Sequence, residues 1–254
     1  MNIALVQSHI FWEDRKRNLA KAEKAVSDNP GTELFLFPEM SFTGFSMNTS
    51  KTADKNQETV NEVKRIAAAY GVSMGFGWVR QNGEKCENVY TVAGPDGQII
   101  SEYIKIHPFT FSGENKHFSA GFDFSVYKIG GIPFSTFICY DLRFPELFRH
   151  ICKKVHAVII PANWPAKRSE HWKTLLRARA IENQVYIFAV NCAGKMDAVY
   201  YSGDSCIIDP NGDILMSLSD REGILKFDFI DNTDQYRNAF PVLDDIRFDL
   251  YSGC

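Results

Sequence analysis

Two periods of apolar residues divide the chain. Short runs rich in branched and aromatic side chains predict strands at Asn2–Gln7, 33–38, 72–79, 88–93, 98–106, 132–138, 157–161, 185–191, 200–208, 214–216 and 223–229. Elsewhere the apolar residues recur every three or four positions, the spacing of one helix face. One such helix spans 15–26 behind an Asp14 cap, with Leu19, Ala22 and Val26 together. A second spans 57–70, with Val60, Val63, Ile66, Ala67 and Tyr70 on one stripe. A third, 144–152, carries Pro145 in its first turn, and a fourth, 170–184, starts behind a Ser169 cap and turns Trp172, Leu175, Leu176 and Ala180 to the core. Gly94-Pro95-Asp96-Gly97 predicts a hairpin turn.

This order is strand–helix–strand–helix and hairpins, then strand–helix–strand and hairpins again. It predicts one α/β domain over residues 1–254, with helices outside two sheets. A weak resemblance between the halves is the only hint of repetition. The polar tail from about residue 230, through Asp244-Asp245-Ile246-Arg247, is expected to be peripheral and to pack at a subunit interface.

Composition narrows the function classes. A net charge of −3 gives no support for nucleic acid or an anionic membrane as partner. No apolar run approaches the roughly 20 residues that cross a bilayer. The N-terminus turns polar too soon for a signal peptide and reads as a first strand. Six cysteines lie scattered with no Cys-x-x-Cys pair, and the six histidines form no His-x-x-x-His pair. Those spacings argue against zinc and against a disulfide scaffold, so a cytoplasmic chain with free thiols, no metal and no cofactor is expected.

Three residues at the ends of apolar runs are candidates for chemistry. Cys139 closes the run from Ile132 and is followed by the polar Tyr140-Asp141-Leu142-Arg143. A cysteine at a strand-to-turn junction faces unpaired backbone N–H groups, although free cysteine is also a common core residue. Glu39 follows Pro38 at the end of the second strand; it is either solvated, or held in a dry pocket where it can act as a base. Lys105 stands between Ile104 and Ile106, so strand alternation sets its direction. It is either an outward edge lysine or an inward ammonium beside a nucleophile. Glu114 lies in the polar loop 110–121.

At these residues the chain resembles the nitrilase superfamily of carbon–nitrogen hydrolases, whose catalytic set is Glu, Lys and Cys in that order. The matching segments are Phe37-Pro38-Glu39-Met40, Tyr103-Ile104-Lys105-Ile106-His107 and Cys139-Tyr140-Asp141-Leu142-Arg143-Phe144-Pro145. Glu114 matches a second family glutamate. Ala162-Asn163-Trp164-Pro165 and Arg179-Ala180-Ile181-Glu182-Asn183-Gln184 match as well, so the resemblance covers nearly the whole chain. One departure is Ile104, where arginine is common in the family.

The resemblance implies a four-layer α-β-β-α sandwich that forms a homodimer or higher oligomer through its helices. It is closest to the omega-amidase-like branch, which releases ammonia from the side-chain amide of small 2-oxo acids such as 2-oxoglutaramate and 2-oxosuccinamate. The resemblance then implies Cys139 as nucleophile, Glu39 as base, Lys105 and the Tyr140 N–H as oxyanion donors, and Glu114 as support. Tyr140, Arg143, Asn163 and Trp164 would meet the substrate, with Arg143 facing the acyl pocket. The alternatives are an enzyme for N-carbamoyl compounds, aliphatic amides or nitriles, and a catalytically silent binding member. The alternative for Arg143 is a structural ion pair with Asp141, Glu146 or Glu182.

Overall fold

In the computed structural model, which describes residues 1–247, the alternation of the first strand shows how the layers arise. Ile3 and Leu5 join one apolar cluster while Ala4 and Val6 join another, and all four are buried. A strand buried on both faces reads as a continuous apolar run, as this one does.

The first half runs β1 (Asn2–Gln7), α1 (Arg15–Ser27), β2 (Leu34–Leu36), the one-turn α2 (Thr49–Thr52), α3 (Glu58–Tyr70), β3 (Ser73–Asn82), β4 (Lys85–Ala93) and β5 (Ile99–Ile104). The one-turn α4 (Glu114–His117) precedes β6 (Val126–Ile129), β7 (Ile132–Thr136), α5 (Pro145–Ile151) and β8 (Ala157–Ala162). Then come α6 (Ser169–Asn183), β9 (Tyr186–Asn191), β10 (Ala193–Met196), β11 (Val199–Ile208), β12 (Ile214–Ser219), β13 (Gly223–Asp228) and α7 (Thr233–Ala239).

One sheet has the order β13-β1-β2-β3-β4-β5; the other runs β10-β11-β9-β8-β7-β6, with β12 on β11. Each is built on a parallel triplet, β1-β2-β3 in one and β7-β8-β9 in the other, with antiparallel hairpins added outside. Ala22 and Val26 of α1 and Val60, Val63, Ile66 and Ala67 of α3 cover the outer face of the first sheet. Phe148 of α5 and Trp172, Leu176 and Ala180 of α6 pack with the second. The inner faces meet through Leu5, Leu34, Leu36 and Tyr90 on one side and Phe134, Ile159 and Phe188 on the other. The result is the expected α-β-β-α sandwich.

Several local expectations change. Ser169 is the first residue of α6 rather than its cap, and its hydroxyl donates to Asp204 at 2.8 Å. Tyr70, at the last turn of α3, is exposed rather than on the buried stripe. Leu19 and Leu175 are only half-buried. The described part of the tail is mostly exposed, with Ile230 and Phe240 at the surface, and is also held on its own chain: Arg237 donates to the carbonyls of Cys152, Val155 and Gln184, and Thr233 and Leu243 are buried. Polar composition hid this, because the contacts are backbone acceptors met by one long side chain. The rest of the tail reading, 248–254, lies outside the described residues.

Candidate active site

The parallel strands end on the same side, and loops beyond such carboxyl ends are where open α/β sheets place ligands. Glu39 follows β2, Cys139 follows β7 and Asn163 follows β8. Lys105 follows β5, where Ser101 and Tyr103 are the buried positions and the lysine continues on their side. An edge strand thus carries an inward ammonium, 1% exposed. Its backbone is fixed by Lys105 N–H to the Asn88 carbonyl and Gly121 N–H to the Lys105 carbonyl, both 2.9 Å.

The Lys105 Nζ lies 2.8 Å from Glu39 Oε1 and 2.9 Å from Glu114 Oε2. Both carboxylates are 0% exposed. Burial works against the ammonium, but Glu114 and Glu39 outweigh it and hold the Lys105 pKa above its ordinary value. Asn88, on β4, donates its Nδ2 to Glu39 at 2.8 Å and to Glu114 at 3.0 Å, tying the two together. The Phe109 N–H also donates to Glu114. Burial raises the Glu114 carboxyl, with Lys105 opposing.

Two features seat Glu39. Its loop lies directly on β3 at Gly77, where a Cβ would overlap the Met40 nitrogen and stand 2.8 Å from the Glu39 carbonyl carbon. Ser41 and Gly77 are joined there by two hydrogen bonds of 2.9 Å. From the other sheet, Asn163 donates its backbone N–H to Glu39 Oε2 at 2.9 Å and its side-chain amide to the Glu39 carbonyl.

Cys139 has φ of +47°, a left-handed conformation that costs a non-glycine residue about 1–3 kcal/mol and persists only where the surroundings impose it. Asp141 imposes it here. This buried carboxylate accepts from the Ile138 N–H, the Tyr103 hydroxyl, the His107 N–H and His107 Nδ1, at 2.9–3.1 Å. The segment that carries Lys105 is therefore tied to the turn that carries Cys139. Burial, and next the Glu39 carboxylate, push the Cys139 thiol well above its ordinary pKa, so at neutral pH it rests protonated beside a carboxylate.

Cys139, Lys105, Tyr140, Arg143, Asn163 and Trp164 all line one cavity of about 400 Å³. Every residue expected at the site is thus gathered there, with Glu39 and Glu114 behind the wall. Asn163 differs from its expected part: its amide groups are engaged with Glu39, and its Oδ1 accepts from the Cys192 thiol. Among the described residues no carboxylate pairs with Arg143. Asp141 is taken by Tyr103 and His107, and Glu182 pairs with Arg179 at 2.8 Å. The Arg143 guanidinium instead lies 4.7 Å over the Trp164 ring and meets His171 Nδ1 at 3.2 Å.

Sequence reasoning passed over Asn88, Asp141, Gly77 and Arg168. An asparagine opening the apolar run Asn88-Val89-Tyr90 and a glycine within β3 were the available signals, but neither names its partner. The described residues hold no cluster of His, Cys, Asp and Glu that could bind a metal, and no helix long and apolar enough to cross a membrane.

The sequence and fold are matched by known proteins. The carbon-nitrogen hydrolase family profile matches residues 2–237. A 2-oxoglutaramate amidase of Bacillus subtilis is 36% identical, the alignment covering 98% of each chain. The omega-amidase YafV of Yersinia enterocolitica is 31% identical over 96% of each. A solved CN-hydrolase superfamily protein of Xanthomonas campestris superposes with a TM-score of 0.91 at 29% identity, covering 97% of both chains. The chain belongs to the nitrilase superfamily of carbon–nitrogen hydrolases, and it is a hydrolase of amides on the omega-amidase branch.

Proposed function

We propose that the protein hydrolyses the side-chain amide of small dicarboxylic monoamides, such as 2-oxoglutaramate or 2-oxosuccinamate, through a thioester on Cys139. The observation that carries this is a cavity lined by the thiol, the ammonium and an arginine that pairs with no carboxylate among the described residues. The names of the similar amidases support the same substrate class.

Glu39 takes the thiol proton as sulfur attacks the amide carbonyl. The carbonyl oxygen becomes an oxyanion, met by Lys105 and by the Tyr140 N–H in the first turn after the nucleophile, where helical N–H groups have no partner within the turn. Glu39 then passes its proton to the amide nitrogen, the carbon–nitrogen bond breaks and ammonia leaves. Water, deprotonated by Glu39, attacks the thioester; sulfur departs and is reprotonated, releasing the acid. Glu114 and Asn88 hold Glu39 and Lys105 in place throughout. Arg143 matches the far carboxylate, since a guanidinium fork pairs two oxygens at once.

The test is an ammonia-release panel over 2-oxoglutaramate, succinamate, glutaramate, carbamoyl amino acids and nitriles. It is joined to mass spectrometry of rapidly quenched enzyme. Turnover of the monoamides, with an acyl mass on the peptide bearing Cys139 that is absent from Cys139→Ala, is expected. Full activity in Cys139→Ala overturns the mechanism, and faster turnover of nitriles or carbamoyl compounds overturns the substrate class.

A further inference from the structure

The cavity wall holds a second guanidinium. Arg168 lines the cavity with Arg143, and its guanidinium stands 5.3 Å from the Phe109 ring. Among the described residues neither arginine has a carboxylate within ion-pair distance. Two like charges on one partly dry wall repel, and the repulsion is felt: burial, then Arg168, lower the Arg143 pKa. A protein keeps such a pair only where an anion arrives between them or where both reach water.

Trp164 fixes both arginines at once. Its ring lies under the Arg143 guanidinium, and its Nε1–H donates to the Arg168 carbonyl at 2.8 Å. The Arg168 N–H returns to the Pro165 carbonyl at 3.0 Å, closing the 3-10 turn Ala166–Arg168. One turn later, His171 Nδ1 meets the Arg143 guanidinium at 3.2 Å. The segment 164–171 therefore carries one guanidinium, Arg168, and holds the other, Arg143 of the turn after the nucleophile, between Trp164 and His171.

We infer that Arg168 is a specificity-determining residue. Together with Arg143 it forms a two-arginine subsite that grips the terminal carboxylate of the substrate and, in 2-oxo acids, the oxygen of the adjacent carbonyl. A lone carboxylate presents two oxygens and is satisfied by one fork; a 2-oxo acid presents a third acceptor in nearly the same plane, which calls for a second. This rests on the proposed function, since it deepens the reading of the same cavity.

The test compares wild type, Arg168→Met and Arg168→Lys on 2-oxoglutaramate and glutaramate, which differ only in the 2-oxo group. A group that binds ground state and transition state alike changes KM and leaves kcat. For 2-oxoglutaramate, Arg168→Met should raise KM at least tenfold with kcat within threefold, and the preference for 2-oxoglutaramate over glutaramate should shrink by a similar factor. Arg168→Lys should recover part of the loss, because it keeps charge without the fork. An unchanged KM overturns the inference, as does an equal fall in kcat on both substrates with a lowered Tm, the mark of a scaffold residue. Should wild type turn over neither monoamide, the substrate reading of the preceding section fails instead, and the two failures stay distinct.

Discussion

Replacing Lys105 by methionine tests the electrostatic core of the site, because the ammonium sits between two carboxylates sealed from water. Methionine keeps the length and removes the charge. Glu39 and Glu114 then face each other through the shared Asn88 amide with no cation. Removing one partner of a buried ion pair costs about 3–5 kcal/mol. For a chain of this length that corresponds to a fall in Tm of about 6–20 °C at neutral pH, at about 2–4 °C per kcal/mol.

The pH dependence is the sharper signature. Burial already raises the Glu114 carboxyl, and Lys105 is the main influence holding it down. Without the lysine, the carboxylate pair takes up a proton rather than stay doubly charged. A carboxyl whose folded pKa is raised stabilises the fold fully below its unfolded pKa, and the contribution is lost as pH rises through the folded value. The Tm deficit of Lys105→Met against wild type should therefore be largest near pH 8 and shrink toward pH 5. Lys105→Met/Glu114→Gln, which removes the second charge, should regain at least half of the deficit. Scanning calorimetry across that range reads both, and turnover should fall by about 10²–10³, as for loss of an oxyanion donor. A deficit that is flat with pH and not relieved in the double variant would refute the reasoning.

Two further substitutions probe the ends of the cavity. Arg143→Met removes a charge-assisted bond of about 1.5–3 kcal/mol, so kcat/KM for 2-oxoglutaramate should drop about ten- to a hundredfold. Steady-state kinetics beside a Tm measurement separate this from a scaffold effect, which would lower both. Gly77→Ala places a methyl group where the Glu39 loop rests, and overpacking of this kind costs about 1–3 kcal/mol. Because the obstructing atoms are backbone, the loop must shift, and kcat should fall at least tenfold with KM less affected; normal kcat would show that Glu39 is held by other means.

The layers were legible because burial on both faces leaves a plain trace, as in β1 and in β8, whose run Ala157–Ala162 is buried throughout. Helix stripes were legible for α1 and α3 because one buried face repeats every three or four residues. The local ends were less so: Ser169 looks like a cap, but Asp204 takes its hydroxyl. β10 and α7 escaped notice, since a short edge strand and a polar helix held by Arg237 leave little apolar pattern. In the site, Glu39, Lys105 and Cys139 stood out through their place at strand ends. Asn88 and Asp141 did not, because their role lies in partners that are 49 and 34 residues away, Glu39 and His107 respectively. Spacing along the chain records a residue's element; it does not record what crosses from the neighbouring sheet.

The charges at this site explain why the thiol is left protonated rather than activated in advance. With Glu39 and Glu114 as carboxylates and Lys105 as ammonium, as the proposed mechanism takes them, the buried cluster carries one net negative charge. A resting thiolate would add a second in the same dry space, and both burial and Glu39 oppose it. In the proposed mechanism, moving the proton from Cys139 to Glu39 during attack leaves the total unchanged: charge leaves the carboxylate for sulfur and passes to the oxyanion beside Lys105. The ammonium faces that charge at each stage and need not move to do so. On this account the raised thiol pKa is a consequence of keeping the cluster at one net charge. In the proposed mechanism the strained turn at Cys139, fixed by Asp141, would supply what an ionised nucleophile would otherwise supply, a sulfur held in one orientation for attack.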